Sequence, residues 1–160
     1  MNFIENVQNT AENMRTLEKN LLEIENLYSQ MLICSSDEIE ELDNRIFSLR
    51  EQSDECLNKI KQNCAEDETG NIKKAVDPKS RHCDINAETE EIFNIRQSVN
   101  AVNIRITELI PVVKDRIEIK KEETLSMIKE NNLSQSANAA KYFFKEDSDS
   151  VYLTRKGKKI

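Results

Sequence analysis

The chain has 160 residues, a length that allows one domain, or one domain with a tail, and that can bury a core. Only two glycines and two prolines occur, and 33% of the residues are charged whereas 5% are aromatic. Because sheet-rich folds need Gly and Pro in their turns, this composition predicts an all-α protein with a core of Leu, Ile, Val and Met.

The formal net charge of −7 is unevenly distributed along the sequence. Residues 1–68 hold 16 acidic and 6 basic side chains, and the rest of the chain holds 14 and 17. Since these later basic residues alternate with Asp and Glu, they form no continuous footprint for a phosphate backbone, and we expect no nucleic-acid partner. The stretch 155–159 is basic apart from Gly157, and it can contact an anionic lipid surface or lie in solvent.

Within residues 1–160 we expect neither a signal peptide nor a membrane-spanning segment. No segment approaches the run of about 20 apolar residues that a membrane-spanning helix requires, and polar residues interrupt the N-terminus where a signal peptide would be apolar. The four cysteines therefore indicate a reducing compartment, and we expect a cytoplasmic protein without a transmembrane segment.

The first helix is predicted over about residues 2–34. Its apolar residues recur at alternating steps of four and three, which places them on one side of a continuous helix. Further apolar residues widen this stripe, as expected for a helix with two neighbours in a bundle. The stripe consists of Phe3, Val7, Thr10, Met14, Leu17, Leu21, Ile24, Tyr28 and Met31, with Ile4, Ala11, Leu22, Leu27 and Leu32 on its flank.

A second helix is predicted over about residues 37–64. Ser35 and Glu38 have the spacing of a capping box, which marks a helix start. The break before this helix is short, and short connections make neighbouring helices antiparallel. Its stripe consists of Ile39, Leu42, Ile46, Leu49, Ser53, Cys56 and Ile60, with Phe47 and Leu57 alongside.

Residues 63–86 lose this periodicity and contain Gly70 and Pro78, so we expect a flexible connection there. A third helix is predicted over about residues 86–129, with Asp84 or Asn86 as its cap. Pro111 predicts a kink or a short break within it. Its stripe consists of Ile92, Ile95, Val99, Val102, Ile106 and Leu109, followed by Val113, Ile117, Leu125 and Ile128.

Three striped helices predict one antiparallel three-helix bundle over residues 1–130, with left-handed coiled-coil packing. After Asn131 the apolar stripe ends, and one aromatic cluster remains among Ser, Asp and Lys. We therefore expect residues 131–160 to form a flexible tail.

Few residues in the sequence point to chemistry. Paired carboxylates lie on faces expected to be solvated, whereas catalysis needs them desolvated in a pocket. His82 precedes Cys83, but together with Cys64 these residues lack the ligand spacing of a zinc site. With glycines only at positions 70 and 157, no Gly-rich phosphate loop is present. The sequence predicts no catalytic residue, metal or cofactor, and it favours a protein-binding module over an enzyme.

The arrangement of the helices resembles a known family. A long first helix runs from Phe3 to Leu32, an acidic start to the second helix lies at 36–42, and a Leu-and-Lys element at 57–61 closes it. The third helix contains Asn-Ile-Arg-Gln at 94–97 and Lys-Asp-Arg-Ile at 114–117. In these respects residues 1–130 resemble Habc, the N-terminal regulatory domain of syntaxins.

The resemblance implies a spectrin- and syntaxin-like bundle that acts in SNARE-mediated vesicle trafficking and membrane fusion. Its partner would be a SNARE helix, a Sec1/Munc18-like protein or a tethering factor, bound at the cytosolic face of endomembranes or the plasma membrane. The chain departs from the family at Pro111, and within residues 1–160 we expect neither a SNARE motif nor a membrane anchor. Candidate partner-binding residues on the outer face are Arg96, Arg105, Lys114 and Arg116.

Two other interpretations stay open. The four basic residues can form an ordinary solvated face. The chain can also be a coiled-coil scaffold subunit of a cytoskeletal or chromosome-segregation complex, in which the first helix pairs with another chain. The mass in solution separates a monomeric bundle from such an elongated dimer.

Overall fold

The computed structural model describes residues 2–135, with side chains up to Asn131. Helices account for almost all of this range and no strand occurs within it, so the all-α prediction is confirmed. No helix of residues 2–135 is both long and apolar enough to cross a membrane. The helices are α1 (Phe3–Met31), α2 (Ile39–Glu66), α3 (Asn71–Val76) and α4 (Glu90–Gln135), with 3-10 turns at Ser36–Glu38, His82–Asp84 and Ala87–Thr89.

Helices α1 and α2 pack antiparallel along their apolar stripes. The side chain of Asn63 near the end of α2 contacts Asn9 near the start of α1, and Arg45 near the start of α2 contacts Glu23 in the second half of α1. Ile24, in the second half of the α1 stripe, is fully buried. The four-three spacing therefore identified the core-facing side of both helices. Buried stripe residues are Thr10, Met14, Leu17, Leu21, Ile24 and Met31 in α1 and Leu42, Ile46, Ser53, Cys56 and Ile60 in α2.

The start of α2 differs from its prediction. Ser35 makes no side-chain capping hydrogen bond, so the predicted capping box is wrong. Instead the backbone N–H of Glu38 donates to the carbonyl of Ser35, which closes a 3-10 turn ahead of the helix. This turn places the first α-helical residue at Ile39, slightly later than the spacing predicted.

The predicted flexible connection contains a short helix, α3, anchored in the core. Ile72 and Ala75 are both fully buried. Gly70 precedes the helix with a φ of 73°, a left-handed conformation that glycine adopts without steric cost. The expectation that residues 63–86 lack order is therefore wrong for α3, because one helical turn can bury two side chains without a long periodic stripe.

Asp67 organises the turn that leads into α3. Its Oδ2 atom accepts the Ile72 N–H at 2.9 Å, and its Oδ1 atom accepts the Thr69 hydroxyl at 2.6 Å. Burial acts to raise the pKa of the Asp67 carboxyl, but these hydrogen bonds outweigh it and hold the pKa below its usual range. The ionised carboxylate thus fixes the first N–H groups of the helix.

The chain divides into two compact units, Met1–Ile110 and Pro111–Ile160. Asn86 caps the turn that precedes α4, since its side chain accepts the Thr89 N–H, as predicted. Helix α4 is unbroken at Pro111, and a kink there stays a prediction. It extends to Gln135, beyond the predicted end at residue 129, and the rest of the predicted tail, residues 136–160, lies outside the described part of the chain.

Candidate interaction surface

Two interhelical ion pairs join α1 to the first part of α4. Arg15 pairs with Glu91, and further along both helices Arg105 pairs with Glu25. The Arg105 pair is bidentate, because Nε donates to Oε2 at 2.6 Å and Nη2 donates to Oε1 at 3.1 Å. Since both pairs follow the same order along the two helices, α1 and this part of α4 run in the same direction.

Two of the four predicted partner-binding residues, Arg96 and Arg105, lie in the unit Met1–Ile110, and neither is a free surface cation. Arg105 is exposed, but its guanidinium is held by Glu25. Arg96 is only 5% exposed, so its predicted place on an outer face is wrong. Its guanidinium lies over the Phe93 ring at 4.7 Å from the centroid, a cation–π contact with a residue that is itself buried.

The other two predicted residues, Lys114 and Arg116, belong to the unit Pro111–Ile160. Lys114 is exposed, and Arg116 is half-buried with no hydrogen-bond partner for its Nε atom among the described residues. The four residues therefore do not form a single basic face within one unit. Their role in partner binding stays a prediction.

The Arg105–Glu25 pair predicts a pH effect on stability. The hydrogen bond from Arg105, together with its charge, holds the pKa of Glu25 below its usual range although burial opposes this. Because the folded-state pKa is depressed, this stabilisation is complete above the ordinary glutamate pKa and is lost as the pH falls through the folded-state value. Acid-induced unfolding tests this. As the pH falls below about 4.5, the free energy of unfolding should decrease less in the Glu25→Gln variant than in the wild-type chain. Equal losses in both proteins would contradict the pairing.

Two large apolar side chains of α2 are exposed on the surface of the first unit. Phe47 and Leu57 are 63% and 40% exposed, although the sequence places both beside the core. Arg50 and Asp54 lie between them and are also exposed, and the spacing of three, four and three puts all four side chains on one face. We call these four residues the α2 outer stripe.

Arg50 fixes one edge of the α2 outer stripe. Its Nη2 atom donates to the Tyr28 hydroxyl oxygen at 3.0 Å, and its guanidinium lies 5.9 Å from the centre of the Tyr28 ring. Tyr28 is half-buried on α1, so this contact joins the stripe to the neighbouring helix. The stripe is therefore supported by the α1–α2 pair, and its two apolar side chains remain open to solvent.

In the unit Pro111–Ile160, α4 carries a second exposed apolar row. Val112, Ile119 and Met127 are 52%, 55% and 63% exposed. Ile119 and Met127 border an open depression of about 460 Å³. We call this depression the acidic groove, because its other lining residues include three glutamates. It is lined by Ile119, Glu122, Glu123, Ser126, Met127 and Glu130.

A buried polar cluster lies between α1 and α2 and was missed from the sequence. The Asn63 side-chain amide donates to Asn9 Oδ1 at 2.8 Å and to Thr10 Oγ at 3.1 Å. The Asn6 amide in turn donates to the Asn63 carbonyl at 3.1 Å. Thr10, the one polar member of the α1 stripe, was the available signal, since a buried polar side chain requires a partner.

His82 and Cys64, considered together in the sequence, have different surroundings. His82 Nε2 lies 2.9 Å from Glu90 Oε1, and its ring packs edge-on against Phe93. Burial raises the pKa of the Cys64 thiol, which disfavours the reactive thiolate. Within residues 2–135, no group of three His, Cys, Asp or Glu side chains is placed to hold a metal ion.

Comparison with known proteins identifies no relative. No family model, curated protein or solved structure matches this chain.

Proposed function

We propose that α1, α2 and the part of α4 before Pro111 form an antiparallel three-helix bundle of the spectrin and syntaxin N-terminal type. The order of the interhelical contacts supports this topology, since α1 is antiparallel to α2 and parallel to α4. Buried side chains on all three helices supply the common core.

We further propose that this bundle is a protein-binding module whose partner helix docks on the α2 outer stripe. The observation that carries the proposal is the exposure of Phe47 and Leu57 at the two ends of one helical face. They are separated by ten residues, about 15 Å along the helix, which is a length that an amphipathic partner helix can cover. Arg50 and Asp54 between them offer both signs of charge for pairing at the rim.

The resemblance to the syntaxin N-terminal domain gives the proposal its specific form. The partner is then a SNARE helix, or a Sec1/Munc18-like protein that presents a helix, and the site of action is the cytosolic face of a membrane. The scaffold alternative receives less support, because α1 already uses its stripe against α2 and contacts α4 within the same chain.

We expect the full chain to bind SNARE-motif peptides. A double variant with Phe47→Ser and Leu57→Ser should bind them about tenfold more weakly or worse. Loss of a buried large apolar contact typically produces a change of this size. Fluorescence anisotropy of a labelled peptide measures the affinity, and a thermal melt checks that each variant is folded.

The matched control is the pair Ile4→Ser with Ile33→Ser. These residues are 67% and 84% exposed but lie outside the α2 outer stripe. We expect this control to bind as the wild-type chain does. Two results would contradict this function. One is equal weakening of peptide binding in the stripe variant and in the control variant. The other is that the wild-type chain binds no SNARE-motif peptide. A mass in solution that shows an obligate elongated dimer would favour the scaffold.

A further inference from the structure

The acidic groove on α4 combines apolar anchors with unbalanced negative charge. Ile119 and Met127, which line it, are more than half exposed. Glu122, Glu123 and Glu130 line the same groove, and none of these three carboxylates has a hydrogen bond or ion pair with another described residue. Such a surface fits a ligand that has large apolar side chains flanked by cations.

A second copy of the same groove is a poor ligand, because it would bring glutamates against glutamates. The chain itself contains a sequence of the opposite character, Lys141-Tyr142-Phe143-Phe144-Lys145. Its three consecutive aromatic residues are flanked on both sides by lysine. Residues 136–160 as a whole contain six basic and three acidic side chains, so their charge is complementary to that of the groove.

We propose that the acidic groove binds the segment 141–145 of the same chain, with the aromatic side chains on Ile119 and Met127 and the lysines beside the glutamates. The residues between the end of α4 and Lys141 are long enough to let the segment reach the groove. Met127 lies about 12 Å along the helix from Gln135, and the six residues from there to Lys141 span up to about 20 Å when extended. Bound in this way, the segment covers Ile119 and Met127, the two members of the exposed apolar row that line the groove, and leaves Val112 uncovered. The proposal uses no residue of the α2 outer stripe and is independent of the proposed function.

Carbodiimide cross-linking of the full chain tests this proposal, because the reagent joins a lysine amine to a carboxylate that it touches. Mass spectrometry should find Lys141 or Lys145 linked to Glu122, Glu123 or Glu130. The yield should be the same over a wide range of protein concentration, as expected for an intramolecular contact. It should fall at high salt, since these charges are exposed to solvent.

Substitutions on each side of the contact sharpen the test. Ile119→Ser with Met127→Ser, or Phe143→Ser with Phe144→Ser, should lower the ratio of docked to undocked chain about tenfold or more. Val112→Ser is the matched control, because Val112 is similarly exposed on the same helix but does not line the groove. Charge reversal by Glu122→Lys with Glu123→Lys should abolish docking, and adding Lys141→Glu with Lys145→Glu should restore it.

Three results would overturn the proposal. The first is the absence of these cross-links in the wild-type chain. The second is a yield that rises with protein concentration, which would identify a second copy as the source of the segment. The third is an equal loss in Val112→Ser, which would show that the cross-links do not depend on the groove. Thermal melts of all variants exclude loss of folding as the cause, and the exposed positions of the substituted groove residues make such a loss unexpected.

Discussion

Replacement of Ile24 by Asp is expected to unfold the unit Met1–Ile110. Ile24 lies in the second half of α1 and is fully buried. An unpaired carboxylate buried there costs several kcal/mol, whereas the whole stability of a domain is typically about 5–15 kcal/mol. Circular dichroism during heating measures the result, and the cooperative transition of the wild-type chain should be lost or shifted far downward.

Leu22→Asp is the control for this substitution. Leu22 lies two residues away on the same helix but is 44% exposed, so a carboxylate at this position remains hydrated. We expect the melting curve of Leu22→Asp to stay close to that of the wild-type chain. An unchanged curve for Ile24→Asp would show that the α1 stripe does not form the core.

The second large effect is expected at α3. Ile72→Ala should lower the free energy of unfolding by about 2–5 kcal/mol, the range typical of a fully buried isoleucine, because it leaves a cavity in the core. Urea denaturation measures this loss as a lower midpoint with an unchanged slope. The result would show that the segment between α2 and α4 is an integral part of the folded unit.

Val76→Ala provides the comparison within the same helix. Val76 is half-buried, so the loss of stability should be clearly smaller than for Ile72→Ala. If both variants unfold at the same urea concentration as the wild-type chain, α3 contributes no packing energy and the connection behaves as the sequence predicted.

The differences between sequence and structure have identifiable physical causes. The α1 stripe was predictable because nine positions repeat the four-three spacing, and a repeat of that length is specific to a helix with one buried side. Helix α3 was not predictable, because its six residues contain only two buried side chains, Ile72 and Ala75. Two positions define no period, and the nearby Gly70 and Pro78 are typical of loops.

The candidate surface was harder to predict than the core. Phe47 and Leu57 are apolar residues next to the α2 stripe, and sequence alone does not tell how wide the buried side of a helix is. Arg96 shows the converse. A charged side chain is expected to be exposed to solvent, but the planar guanidinium of Arg96 lies over the Phe93 ring and the residue is buried. Which side chains are open to a partner depended on the packing of neighbouring helices.

The polar cluster at Asn63 has a consequence for how α1 and α2 align. Apolar heptads are nearly equivalent, so a slip of seven residues along α1 would still pair one apolar layer with another. Such a slip would replace Thr10 by Phe3 or Leu17, which have no side-chain acceptor, and would replace Asn9 by Asn2 or Thr16, which each have one. In the observed alignment the same amide donates to Asn9 and Thr10. The observed register is therefore the one that gives the Asn63 amide two side-chain acceptors, one more than either slipped register, and the cluster favours it by that difference.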